Sequence, residues 1–305
     1  MKNVLTRDLV LTIKNKFRIR LALKIVQLIR GLEDEFLTEL LKILYDDEKN
    51  QLVVLGEKDI IPPLSEIVYR TDIPILSFDD VFSKELNSPL LFNIDTSRQI
   101  EDYDRRTFSV GPRFGAKDIF HQLQKVRRFI GDSRRTPIAL YDLGIFSGGF
   151  TVETLSSVIA MDFDPKIVYA SIIREVGLRR IMEELKETGI RLICLNDHYE
   201  GGWDELRDII GIHGFTVNPR AVDFFPGCQT ENTFIPYTEM IDWFSLPYNP
   251  RDTEELVDLC EKYRRKLATI LVQELSIEFK VVGRFQNRDV YSIFRQKEVP
   301  CYDTE

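Results

Sequence analysis

One carboxylate, two hydroxyls and three glycines fall close together in the stretch P-I-A-L-Y-D-L-G-I-F-S-G-G-F-T-V-E-T-L-S, from Pro137 to Ser156. Asp142 supplies the charge and Ser147 and Thr151 the hydroxyls, while Gly144, Gly148 and Gly149 leave the backbone without Cβ atoms. These residue types in this order suit a phosphorylated ligand. Glycine lets the chain turn sharply and approach a bound group. A helix that opens on such a turn presents unpaired N–H groups and the positive end of its dipole to an anion. The same pattern also fits a plain β-turn-α junction with no ligand, because short motifs recur by chance.

The elements around these residues follow from the pattern. Ile138-Ala139-Leu140-Tyr141, opened by Pro137, is a short apolar run that reads as a buried strand. Asp142 is then the first acid at that strand's carboxyl end. From Thr151 onward, Val152, Leu155, Val158 and Ile159 keep helical spacing, with Glu153 in the first turn. In open α/β sheets, ligands bind at this kind of junction.

In these residues the stretch resembles the phosphoribosyl-diphosphate (PRPP) loop of type I phosphoribosyltransferases. That loop is a hydrophobic strand, two consecutive acids, a short turn, and T-G-x-T opening a helix. The resemblance implies that Asp142 contacts the ribose hydroxyls at the catalytic centre, and that Ser147, Gly148, Gly149, Phe150 and Thr151 wrap the 5′-phosphate. It implies a transferase that moves ribose 5-phosphate from PRPP to a nitrogenous base with Mg²⁺. The chain departs from the family's pattern in three places. Leu143 stands where the second acid belongs, Phe146 where some members have a catalytic acid, and Phe150 where the loop's second threonine belongs, with Thr151 one position later. The departures favour a second implication: a non-catalytic domain that senses PRPP or a nucleotide. Phosphoribosyltransferase-like proteins also serve as effectors in bacterial anti-phage defence, a third implication.

Composition narrows the class. Hydrophobic residues at 44% and charged residues at 30% are those of a soluble globular protein with an ample core. A net charge of −8 argues against general affinity for nucleic acid or an anionic membrane. No apolar run reaches membrane-spanning length, and Lys2, Arg7 and Lys14 interrupt any signal-like stretch. Cys194, Cys228, Cys260 and Cys301 lack metal-type spacing and read as free thiols of a cytoplasmic protein.

Along the chain, residues 1–50 read as a helical segment. One apolar stripe runs from Leu21 to Ile29 and another from Phe36 to Leu44, with Gly31 marking a break. The two helices pack on each other or form a cap or homo-oligomer face. Residues 51–200 read as the phosphoribosyltransferase-like core, starting with the strand Gln51–Gly56 and a turn whose only cation is Lys58. The resemblance places pyrophosphate at that turn; an ordinary loop is an equal reading.

Residues 98–135 hold ten cations against five acids, a basic island in an acidic chain. Within it, Arg105 to Gly115 has the composition of a mobile loop and stands where the family carries its lid. Arg105, Arg106 and Arg113 then reach the pyrophosphate or simply face solvent. Asp162 and Asp164 could hold Mg²⁺ but read better as a turn. Residues 201–305 read as a hood and helical addition: a helix from Gly201 to Ile210, an aromatic-rich loop with Phe234, Tyr237, Trp243 and Phe244, a long helix over 252–274 and a closing hairpin. The loop aromatics either stack on a base or bury one another. The expected architecture is α/β: a mostly parallel sheet with helices on both faces, N-terminal helices, and a C-terminal hood.

Overall fold

A computed structural model describes residues 2–44, 51–79, 81–102, 107–112, 116–131, 135–210, 214–217, 233–236, 245–247, 253–281 and 292–296. The chain runs β1 (Lys2–Thr6), α1 (Leu9–Phe17), α2 (Leu23–Ile43), β2 (Gln51–Leu55), α3 (Glu57–Arg70), β3 (Ile75–Ser77), β4 (Leu91–Asn93), β5 (Thr96–Asp102), β6 (Thr107–Pro112), α4 (Ile119–Ile130) and β7 (Thr136–Ile145). It continues through α5 (Gly149–Ala160), β8 (Phe163–Arg174), α6 (Glu175–Leu185), β9 (Arg191–Tyr199), β10 (Trp203–Glu205), α7 (Leu206–Ile210), β11 (Gly214–Val217), β12 (Thr233–Pro236), α8 (Thr253–Leu275), β13 (Ile277–Val281) and β14 (Ser292–Gln296).

The centre is a five-stranded parallel sheet in the order β4-β3-β7-β8-β9. Its middle strands are apolar on both faces because both faces are covered. Ile138 and Leu140 of β7 join Leu123 of α4, Val158 of α5 and Ile181 of α6 in one cluster. Ala139 and Tyr141, on the alternate face, join Leu64 and Val68 of α3. The expected α/β class with a mostly parallel sheet is therefore present. The buried Tyr141 hydroxyl and the Ser171 hydroxyl, 2.8 Å apart, satisfy each other inside the sheet.

The N-terminal segment is not helical throughout. Lys2–Thr6 is a strand that pairs in parallel with β2 on one side and β10 on the other. Five residues are too few for periodicity to declare a strand, and the β10 partner lies some two hundred residues away. The Asn3 side chain accepts from the Gly202 N–H at 2.8 Å, and Val4 N–H donates to Gly202 O at 2.8 Å, fixing the register. Val4, Leu55, Leu143, Ile172 and Tyr199 then form a cluster between this small sheet and the central one.

Gly31 does not break the N-terminal helix; α2 runs through it. A glycine there costs about 1 kcal/mol relative to alanine, which the buried face Ile25, Ile29, Leu32, Phe36 and Leu40 offsets. That face packs on α8, with the Phe36 and Tyr263 rings edge-on at 5.2 Å. The N-terminal helices and the long C-terminal helix thus share one core.

A third, mixed sheet has the order β13-β14-β12-β11-β5-β6. It corrects the expectation of a mobile loop over Arg105–Gly115: Thr107–Pro112 is a strand antiparallel to β5. The glycine and proline that suggest a loop sit at the strand's end, and Glu153 of α5 accepts from Val110 N–H at 3.0 Å, tying the hairpin to the central sheet's helix. Arg105, Arg106 and Arg113 lie outside the described residues, as do Tyr237, Trp243 and Phe244. Residues from Gly201 do not begin a helix: Trp203–Glu205 is strand β10, because its backbone pairs with β1 before α7 starts. Among the described residues no helix is long and apolar enough to cross a membrane.

Candidate functional site

Strand β7 continues past the expected end at Tyr141. Asp142 pairs with Ala170 of β8, Gly144 with Ile172 and Ile145 with Ile173. Asp142 is therefore inside the strand, held by parallel pairing that overrides the turn-forming tendency of aspartate and glycine. The turn follows at Phe146–Gly148, and α5 opens at Gly149. Gly148 has φ of +77°, and a Cβ there would lie 3.1 Å from the Gly177 carbonyl oxygen. Only glycine takes this position without strain. Two cations flank the turn. The Arg174 guanidinium lies 4.5 Å over the Phe146 ring, and a Cβ on Gly149 would meet Arg180 Nη1 at 3.2 Å.

A cavity of about 140 Å³ opens over this junction. Its lining comes from Asp142 and Gly144 of β7, from Ser147, Gly148, Phe150 and Thr151 of the turn and α5, and from Thr96 to Arg98 of β5. Trp203, Asp204 and Glu205 of β10 with Arg207 and Asp208 of α7 form a further wall. Asp142 and the loop residues named from the sequence are thus brought together, with Gly149 just behind as the first residue of α5. Lys58 is not among them: it stands exposed on the first turn of α3, where Asp59 caps Gly56 N–H at 2.9 Å. The expected turn at 56–59 is that helix start.

Charge is divided unevenly across the cavity. The Asp142 carboxyl is pushed up to about 7, first by burial and then by the charges of Glu205 and Asp79, against the Gly144 N–H and Arg98, which pull it down. Asp204 is also raised to about 7, chiefly by burial, although it accepts from the N–H groups of Ser245 at 2.9 Å and Leu246 at 3.0 Å. Arg207 binds three acids: Asp8 Oδ2 at 2.9 Å, Asp208 Oδ1 at 3.9 Å and the Glu205 carboxylate in direct contact. Asp8 is 1% exposed, so this network ties the cavity wall to the start of α1.

Among the described residues no group of three His, Cys, Asp or Glu side chains is placed to hold a metal ion. Asp162 pairs with Arg127 at 3.3 Å and Asp164 with Lys166 at 2.6 Å, the behaviour of a turn.

The sequence reading missed the wall from Trp203 to Asp208. The acids of D-E-L-R-D, from Asp204 to Asp208, look like the solvated start of a helix. The available signal was their position directly after the last strand of the central sheet, at its carboxyl edge. Arg174 and Arg180 were legible only as members of a strand end and a helix face. No family model matches the chain, and no curated protein matches it.

Proposed function

We propose that the cavity binds a ribose 5-phosphate compound and that the protein acts on PRPP as a phosphoribosyltransferase-like enzyme. The observation that carries this reading is the convergence on one cavity of Asp142 and the Ser147–Thr151 turn, with Gly148 left-handed at the opening of α5. The backbone N–H groups of the turn and the first residues of α5 would take the 5′-phosphate. Asp142 would take a ribose hydroxyl, accepting when ionised and donating when protonated. Transfer breaks the bond from C1′ to pyrophosphate and forms one from C1′ to a base nitrogen. Positioning and charge stabilisation supply most of the catalysis in such a step. When bound, Mg²⁺ would neutralise the departing pyrophosphate.

A second reading, a sensor that binds without turnover, is favoured by Leu143. It is 2% exposed and packed in the core, so Asp142 meets the ribose without a second acid. Calorimetry with PRPP, followed by assay of pyrophosphate release with a panel of free bases, separates the two. Binding with release supports the transferase, and binding without release supports the sensor. Absence of PRPP binding at millimolar ligand overturns both.

A further inference from the structure

Glycine is a poorer helix former than alanine, yet Gly177 stands in the first turn of α6, with no positive φ to require it. What excludes a side chain there is contact. A Cβ would lie 2.6 Å from the Phe146 carbonyl oxygen, 2.9 Å from that of Ile145 and 2.8 Å from Ile145 Cγ2. Atoms do not pack so closely, so α6 rests bare backbone on the turn that precedes α5. The approach is mutual: a Cβ on Gly148 would lie 3.1 Å from the Gly177 carbonyl oxygen and 3.2 Å from Ile181 Cγ1.

This contact orients a peptide group. A planar trans peptide aims its N–H opposite to its C=O. With the Phe146 carbonyl oxygen against α6, the N–H of the same peptide, that of Ser147, points away from α6. Phe146, Ser147 and Gly148 all line the cavity. A methyl group on Gly177 would have to push α6 and the turn apart, and the Phe146–Ser147 peptide would then lose the surface that holds its carbonyl.

From this geometry we infer that Gly177 is a positioning residue for the phosphate: its missing side chain lets α6 hold the turn so that the Ser147 N–H is presented to the anion. This rests on the ribose 5-phosphate reading, which puts the phosphate at the turn. Gly177 acts through the Phe146–Ser147 peptide and not on the ligand. Its replacement therefore weakens the grip on phosphate and leaves the contribution of Asp142 to the ribose unchanged.

The test is Gly177→Ala on the full chain, with Gly31→Ala as its matched control. Gly31 lies within α2 with nothing within 4 Å of a Cβ, so alanine there should raise the melting temperature and leave binding alone. Gly177→Ala should gain no such stability. By calorimetry it should bind ribose 5-phosphate and inorganic phosphate both at least about tenfold more weakly, the loss of one hydrogen bond to a charged group. The ratio of the two affinities should stay that of the parent. A Gly177→Ala protein that melts higher and binds as the parent does overturns the inference alone. So does a loss for ribose 5-phosphate without a loss for phosphate, because the effect then lies away from the turn. A reading on the parent needs no variant: with ¹⁵N-labelled serine, the Ser147 amide resonance should shift on saturation with ribose 5-phosphate. An unmoved Ser147 resonance with the ligand bound overturns the role of this peptide even where Gly177→Ala does not fold. Failure of the parent to bind ribose 5-phosphate overturns the underlying reading, and this inference with it.

Discussion

Asp142 and Leu143 are consecutive in β7 and face opposite ways: Asp142 lines the cavity, while Leu143 is 2% exposed between the central and the small sheets. The alternation of a strand makes this unavoidable once β7 extends to Ile145. A second acid at position 143 would point into a cluster with Val4, Leu55 and Ile172 and away from any ligand over Asp142.

Leu143→Asp should therefore destabilise the fold without tightening PRPP binding. It removes a buried leucine and inserts an unpaired charge, a loss of at least about 3 kcal/mol. Urea denaturation followed by circular dichroism reads it. A variant as stable as the parent that binds PRPP more tightly contradicts the placement of Leu143.

Gly144→Ala tests the packing of Trp203. The added methyl group cannot coexist with the ring carbons 2.3–2.8 Å away, so the indole must move, at a cost of about 1–3 kcal/mol for overpacking. The expected readout is a shift in tryptophan emission together with weaker ribose 5-phosphate binding. Unchanged emission and affinity would show that the ring does not sit on this strand.

Arg207→Met leaves the Asp8 carboxylate, 1% exposed, without its guanidinium. Removing one partner of a buried ion pair costs about 3–5 kcal/mol. Part of that loss should return in the double variant Asp8→Asn/Arg207→Met, where no buried charge remains at position 8. A loss below about 1 kcal/mol in the single variant means that solvent reaches the pair.

The pH dependence follows from Asp142 and Asp204, both raised to about 7. In the unfolded chain an aspartate titrates near 3.9, so between about pH 4 and pH 7 the folded state holds the extra protons. Stability from these two groups is then full below about pH 4, falls as pH rises, and is lost above about pH 7. Asp142→Asn removes one share, and its melting temperature should fall less steeply than the parent's across that window. Superimposable curves contradict the burial of this carboxyl. Affinity for a phosphorylated ligand should likewise weaken as pH rises through 7, because both carboxyls become anionic in the cavity.

The strand–turn–helix was legible because its signals are local: the apolar run Ile138–Tyr141, the Gly148-Gly149 pair and the helical spacing from Val152. The depth of Asp142 was not, since only pairing with Ala170 keeps aspartate and glycine in a strand. The cavity wall from Trp203 to Asp208 escaped for the same reason. Lys2–Thr6 and Trp203–Glu205 become strands by pairing with each other across most of the chain. The Arg207–Asp8 ion pair that fixes the wall depends on that same closure.

Calorimetric titration of ribose 5-phosphate into the parent, Asp142→Ala and Gly148→Val tests the central claim most directly. Ribose 5-phosphate should bind the parent saturably and at least about tenfold more tightly than inorganic phosphate, the contribution of one hydrogen bond to a charged group. Gly148→Val should abolish binding, because a branched side chain at φ of +77° distorts the turn that faces the phosphate. Asp142→Ala should reduce the affinity to that of phosphate alone. If ribose 5-phosphate binds no better than phosphate, or if both folded variants bind it as the parent does, the cavity is not a ribose 5-phosphate site.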